Sequence, residues 1–289
     1  IKTDYDQRFT DALGAVNTQP DSVVGQIIGI FSGAMDDAYE ALQDTYDSMY
    51  PFSAEGTSLD GAVAYIGSSR IQPSATSVTV AAYGAEGTLV PAGTVAQNGE
   101  RFTSTSDVVI SRSNALCVDI EIVTVTNLAS YQVIIGTESL AYTSDASATR
   151  AEILAGLLAD MPADFLGTIT GEVLTICAKD GVSPFAVTVD EKMTVSKIGS
   201  PVVFVCTIDG AVVVPVGALV NLESNVAGVD SIYNLAAGST GRNLETDAEL
   251  RKRHFEAPRA TGSATVEAIR ARMVQEVEGA TDCFIYENR

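Results

Sequence analysis

The chain has 289 residues, of which 46% are hydrophobic and 19% charged, so it is too apolar and too weakly charged to be disordered. It carries 17 Lys+Arg against 37 Asp+Glu, which gives a formal net charge of −20. Nucleic-acid backbones and anionic membrane surfaces attract basic proteins. We therefore expect neither nucleic acid nor a membrane as a partner.

The first region, residues 1–70, is predicted to be helical. Apolar residues recur at steps of three and four between Val24 and Met49, which indicates one long amphipathic helix. Shorter helices are expected over 4–13 and 57–66.

The long helix has two possible roles. Asp21 or Ser22 can cap it, and its length is near the upper end for compact domains. It is either a core helix of a bundle or a helix that packs against another subunit. In the second case Phe31, Met35 and Leu42 are candidate subunit contacts.

Alternation of apolar and polar residues replaces the helical period after residue 70. Residues 71–127 and 201–240 are predicted to form two parts of one β-rich core, built from short strands and tight turns. The segment 89–95 is echoed by 214–220, and each contains a Pro-x-Gly turn between apolar residues.

Residues 128–200 are predicted to be a small α/β module inserted into this core. A hairpin comes first, then a helix opened by Thr149 and Glu152 at capping-box spacing. Two strands are expected after it, over 173–178 and 185–189. The module therefore has the order ββαββ.

The last region, residues 241–289, is predicted to be a helical segment that ends in a strand. A capping box at 246–249 opens a short basic helix, a second helix follows 261–263, and an apolar strand is expected over 283–286. The fold class is α+β.

A basic run, Arg251, Lys252 and Arg253, lies on the first of these helices. Such a run usually forms a solvated face. In a chain with a net charge of −20 it could also dock on an acidic surface of a neighbouring copy, so these three residues are further candidate subunit contacts.

The sequence offers little material for catalysis or metal binding. It contains one histidine, His254, and four scattered cysteines without a CxxC pair, which we expect to be free buried thiols. The loop 238–242 lacks the lysine and the spacing of a phosphate-binding loop. We expect no enzyme, no cofactor and no metal.

Four segments of the sequence resemble one protein family. They are 20–31 with Leu59-Asp60, then 90–95 with Phe102-Thr103 and Asp107-Val108, then 214–219, and finally 241–253 followed by 262–269 and Glu287-Asn288. Together they resemble the baseplate J-like proteins, wedge components of contractile phage tails and related contractile injection machines. The family's second β segment usually has Ala where this chain has Val.

The resemblance implies a structural role. Subunits would pair, and the pairs would join into a sixfold inner baseplate ring that links tube, sheath and outer tail parts and transmits the contraction trigger. The expected partners are other copies of the chain and other wedge, hub and sheath proteins. The expected location is the tail baseplate of a virion made in the bacterial host cytoplasm.

Two alternatives and one question of length stay open. A tail-fibre or adhesin-like protein that binds a host surface would fit the strand-rich middle, although the chain has no Trp for sugar stacking. An acid/base glycosidase or peptidase is the enzyme alternative. Because the family continues into a further C-terminal domain, we expect the chain to be a piece of a longer protein.

Overall fold

The computed structural model describes residues 1–65, 67–260, 266–277, 280 and 282–286. The described residues form six helices: α1 (Lys2–Leu13), α2 (Val23–Asp47), α3 (Gly56–Ala64), α4 (Arg150–Ala159), α5 (Asp247–Ala260) and α6 (Val266–Glu276). The chain divides into two compact units, Ile1–Ile71 with Glu245–Arg289 (unit 1) and Gln72–Leu244 (unit 2).

The strands described in the chain all lie in unit 2. They are β1 (Ala75–Gly84), β2 (Leu89–Val90), β3 (Val95–Asn98), β4 (Glu100–Ser104), β5 (Val108–Val109), β6 (Cys117–Ile122), β7 (Ser130–Ile135), β8 (Glu138–Thr143), β9 (Phe165–Thr170), β10 (Val173–Ala178), β11 (Val187–Val189), β12 (Met193–Asp209), β13 (Asn221–Leu222) and β14 (Val229–Tyr233). Helices and antiparallel sheets are segregated along the chain, which confirms the predicted α+β class.

Unit 1 is helical because its sequence has caps and apolar stripes at helical spacing. Ser22 caps α2: its hydroxyl oxygen accepts the N–H of Gly25 at 3.0 Å. Helix α1 contacts α2, and α3 and α6 each contact α5. A small core closes the unit, made of the buried side chains of Ala54, Leu59, Val63 and Leu250.

Unit 2 is built on a nine-stranded antiparallel sheet. Its main path runs β13-β3-β4-β12-β6-β10-β9, with β1 paired to β12 and β14 paired to β1. A three-stranded sheet, β11-β7-β8, and the pair β2-β5 complete the unit. Helix α4 contacts β8, β9 and β10. One apolar core runs through the sheets and the inner face of α4.

The inserted module is joined to the core by its strands. The hairpin β7–β8 and helix α4 follow the predicted order, but an unpredicted strand, β9, comes directly after the helix, and β12 also begins within 128–200. Strand β10 pairs with β6, and β12 runs through the expected module boundary at residue 200. The module therefore shares the main sheet, and its standing as a separate domain stays a prediction.

The expectation of four free thiols is wrong for two of them. Cys117 on β6 and Cys177 on β10 lie directly opposite each other, with their Cα atoms 4.1 Å apart, and form a disulfide. The N–H of Ala178 donates to the carbonyl of Leu116 at 2.9 Å. The two cysteines next to these residues therefore form a non-hydrogen-bonded pair of the antiparallel ladder, in which facing Cα atoms lie closer together. Cys206 and Cys283 are free.

Several other expectations differ from the structure. Residues 211–220 form no strand, so the second Pro-x-Gly segment is a loop. Residues 282–286 adopt no regular secondary structure, so the expected final strand is absent there. Ile66, the segment 261–265 and the Glu287-Asn288 pair lie outside the described residues.

Candidate subunit interface

One face of α2 is apolar and exposed. Met35, Tyr39, Leu42 and Tyr46 on α2, and Met49 in the turn just after it, follow each other at steps of four, three, four and three residues, and between 45% and 68% of each is exposed. This spacing is typical of the a and d positions of a coiled coil, where each apolar side chain fits into a partner helix. We call these five residues the α2 seam.

The first part of α2 is the part that unit 1 covers. Gly25, Ile28 and Ser32 are buried there. A Cβ at Gly25 would lie 1.9 Å from the carbonyl oxygen of Gln19, so only glycine fits this approach. Because the covered positions end at Ser32, the remaining helix extends with its apolar face unpaired within the described residues.

The predicted contacts on α2 lie on or beside the seam. Met35 and Leu42 belong to it, and Phe31, one turn earlier, is 56% exposed. The same helix exposes carboxylates at Asp36, Asp37, Glu40 and Asp44. A chain that covers this helix therefore needs an apolar stripe with basic residues beside it.

The basic run on α5 is largely engaged within unit 1. Arg251 donates to the carbonyl oxygens of Pro51 and Ala54, at 3.0 and 2.6 Å. Arg253 donates to the carbonyl oxygen of Ser69 at 2.6 Å. Lys252, between them, is exposed. A role of these residues in docking stays a prediction, and Lys252 is the one whose side chain is accessible for it.

Arg70 connects the N-terminal and C-terminal segments of unit 1. Its side chain is 9% exposed, and it donates to the carboxylates of Asp60 at 2.8 Å and Asp247 at 2.6 Å. It also donates to the carbonyl oxygen of Glu245 at 2.7 Å. The hydrogen bond with Asp247 raises the pKa of Arg70, in spite of its burial. We call Arg70, Arg251 and Arg253 the arginine clasp.

The clasp holds two carboxylates in their charged form. Burial alone would raise the pKa of Glu245, but the two hydrogen bonds from Arg253 and one from the Ile71 N–H hold it below its usual value. The Gly56 N–H and then Arg70 lower the pKa of Asp247. The clasp is therefore a structural device whose strength depends on these carboxylates staying ionised.

The described residues do not bring a catalytic constellation together. His254 is 8% exposed, packs edge-on against Phe255 with ring centroids 5.3 Å apart, and its Nδ1 has no partner among the described residues. Within the same ranges, no group of three His, Cys, Asp or Glu residues could hold a metal ion. None of the described helices combines the length and apolar character needed to cross a bilayer.

Sequence reasoning found the exposed apolar face but not the clasp. The stripe from Val24 to Met49 is local, so it can be predicted from spacing alone. Arg70 lies 175 residues from Glu245 in sequence. The sequence shows Arg70 in a strongly acidic N-terminal region and Arg251 and Arg253 in a basic run, but residue spacing does not predict which groups they contact.

Comparison with known proteins finds similarity in structure but not in sequence. The sequence matches no protein-family model and no curated protein. The fold is similar to a chain in the cryo-EM structure of the anti-feeding prophage (AFP) baseplate, 6-fold symmetrised, with a TM-score of 0.38 and 12% sequence identity. The likeness covers 97% of this chain and 57% of that chain, so this chain spans little more than half the length of the baseplate chain that it resembles.

Proposed function

We propose that this chain is a structural subunit of the baseplate of a contractile phage tail or a related contractile injection machine. The observation that carries the proposal is the α2 seam, an exposed row of large apolar side chains along a 25-residue helix and the turn just after it. A row of this kind is stabilised by a partner helix, because leaving it in water forgoes its burial free energy. The four sequence segments that resemble baseplate J-like proteins support the class of assembly.

Within such a baseplate the chain would act as a wedge subunit. Copies would pair and join, with other wedge, hub and sheath proteins, into the sixfold inner ring between tube and sheath. Reorientation of the wedges on attachment would release contraction, as a shift between two assembled states. The proposal contains no catalytic step, and its site is a packing surface.

The location can be tested by cryo-electron microscopy of the particle encoded with this gene. The expected result is density for this chain in the baseplate, with α2 packed against a helix of another subunit. Density in a tail fibre, or absence from the particle, would overturn the proposal and favour the adhesin-like alternative.

The role of the α2 seam, together with Phe31 beside it, can be tested by substitution. We expect a Phe31→Ser, Met35→Ser, Leu42→Ser triple variant to lower the yield of particles with complete baseplates by about tenfold or more, because buried apolar anchors dominate interface energies. The variant should keep its helical circular dichroism, since all three side chains are already exposed.

The matched control is a Val123→Ser, Val213→Ser, Val216→Ser variant in unit 2, which also removes three exposed apolar side chains. Its particle yield should match that of the unchanged chain. Equal yields from the two triple variants would contradict a specific role for the seam.

A further inference from the structure

Strand β9 leaves one edge of the nine-stranded sheet without a neighbour. It pairs with β10 alone among the described strands. The N–H of Lys179 donates to the carbonyl of Asp164 at 3.0 Å, which fixes the alternation of the ladder. Gly167 and Ile169 must therefore point their N–H and C=O groups away from β10. No partner for these groups is found among the described residues.

The free edge of β9 lacks the side-chain cap that is found on the outer edge of β8. On the outer edge of β8, the N–H of Ala141 is capped by the carboxylate of Asp160 at 2.9 Å. Proteins usually block free edges in this way, or with proline or charged side chains on the edge strand. β9 contains neither, and Leu166 on it is 53% exposed. Such an edge is a template for strand addition.

A pocket of about 480 Å³ adjoins the start of β9. Its lining includes Asp164, Phe165, Lys179, Asp180 and Phe185. Phe165 belongs to both the pocket and the strand, and its ring meets that of Phe185 edge-on at 5.1 Å. An extended chain that pairs with β9 therefore brings one of its ends to this pocket.

The charge of the pocket selects a basic group. The lining contains two carboxylates, Asp164 and Asp180, and one ammonium, that of Lys179, which already donates to the carbonyl oxygen of Ala163 at 3.2 Å. Asp180 is held by the N–H groups of Ser183 and Val182, both at 3.0 Å. The module around the pocket, residues 128–200, has 4 basic and 9 acidic residues, or 4 − 9 = −5. Aromatic rings beside carboxylates suit a lysine or arginine side chain.

We propose that the free edge of β9 and the adjoining pocket bind an extended segment of a partner protein, with main-chain pairing along β9 and a basic side chain in the pocket. The proposal does not depend on the baseplate assignment. A second copy of β9 is a poor occupant, because antiparallel pairing would set the acidic pocket of one copy near Glu172 of the other, beyond the end of its strand.

The main-chain part can be tested with synthetic peptides that present one hydrogen-bonding edge. The probe is a fluorescent peptide of about seven residues that alternates valine and threonine, has lysine at each end, and is N-methylated at every second residue. Lysine at both ends allows either strand direction. We expect saturable binding by fluorescence anisotropy. A fully N-methylated peptide should not bind.

The pocket part is tested by changing the end residues of the peptide. Replacing both lysines by glutamine should weaken binding by about threefold or more at low salt. An Asp164→Asn variant should remove this preference for lysine. A Glu138→Gln variant, changed at the first residue of β8, should retain it.

A variant of the edge itself gives a second measurement. Ile169→Pro removes an outward N–H without taking a hydrogen bond from β10, so we expect a folded protein that binds the lysine peptide at least about tenfold more weakly. If this variant does not fold, the comparison of the lysine peptide with the fully N-methylated peptide on the unchanged chain still tests the proposal. The proposal is overturned if the lysine peptide does not bind, if the fully methylated peptide binds equally, or if the chain self-associates through β9 and Ile169→Pro abolishes that association.

Discussion

Arg70 shows how much of unit 1 depends on single side chains. Its guanidinium binds the nearby carboxylate of Asp60 and two acceptors from a segment distant in sequence, the carboxylate of Asp247 and the carbonyl oxygen of Glu245. Little of the side chain is reached by solvent. An arginine can satisfy several acceptors at once because its five N–H donors form a rigid planar fork. A lysine would keep the charge and lose this arrangement.

We expect Arg70→Ala to lower the free energy of unfolding of unit 1 by about 1 to 2 kcal/mol, because it leaves half-buried acceptors without a donor. Arg70→Lys should recover only part of the loss. The measurement is urea unfolding followed by helical circular dichroism, which reports mainly on unit 1, since five of the six described helices lie there.

The control is Arg8→Ala, which breaks an exposed pair with Asp4 within α1. Its effect should stay below about 0.5 kcal/mol. If the two variants are equally stable, the clasp does not hold unit 1 together.

The same carboxylates make unit 1 sensitive to acid. The pKa values of Glu245 and Asp247 are lowered in the folded chain, whereas carboxyl groups of an unfolded chain have a pKa of about 4. Their contribution to stability is therefore complete above about pH 5 and is lost as the pH falls through the lowered values.

We expect the urea midpoint of unit 1 to fall between about pH 7 and about pH 3.5, and to fall less in Glu245→Gln, which has no charge to lose at this position. Glu40→Gln, an exposed carboxyl on α2, should keep the full pH dependence. An unchanged pH dependence in Glu245→Gln would contradict this account.

At the scale of elements, the helix ends are set by local contacts. The hydroxyl oxygen of Ser22 caps α2, and Thr149 and Glu152 form both hydrogen bonds of a capping box at the start of α4. These contacts lie within one turn of helix, which is why residue spacing alone predicted them. Capping groups also decide whether the exposed end of a long helix frays.

We expect Ser22→Ala to destabilise α2 by about 1 kcal/mol, because the N–H of Gly25 loses its acceptor. Ser22→Thr, which keeps a hydroxyl that can accept from Gly25 and donate to the carbonyl oxygens of Asn17 and Gln19, should stay within about 0.5 kcal/mol of the unchanged chain. Thermal melts followed by circular dichroism distinguish the two. Equal melting of both variants would show that the cap does not limit the stability of α2.

Two strands escaped prediction for physical reasons. The predicted module boundary between residues 200 and 201 lies inside β12. Pro201 fits in this strand because its missing N–H would point to the same side as the carbonyl oxygens of Gly199 and Val203. Pairing with β6 ends at Gly199 and pairing with β4 begins at Phe204, so the missing donor faces a gap. β9 was missed because Gly167 interrupts its pattern.

At the scale of the whole molecule, the two units depend on different chemistry. Unit 1 has a small apolar core and a charged clasp, whereas unit 2 has a large apolar core and a disulfide. The disulfide closes a loop with a sequence separation of 60 residues, so it removes many conformations from the unfolded chain. A stress that acts on one unit should therefore have little effect within the other.

We expect reduction, or the Cys177→Ser substitution, to lower the stability of unit 2 by about 2 to 4 kcal/mol. Thiol titration of the denatured chain should find two thiols before reduction and four after it. Cys283→Ser, which removes a free thiol, should leave the melting of unit 2 unchanged. Four thiols before reduction would show that the pair is not bonded.

Strand β12 also has a mechanical consequence. Its first residues pair with β6, and its later residues pair with β1 and, for a shorter stretch, with β4. A pull along β12 would load these ladders parallel to the strand, so that many hydrogen bonds must break together rather than one after another. The 17-residue strand would then transmit a pulling force between the inserted module and the core without extending.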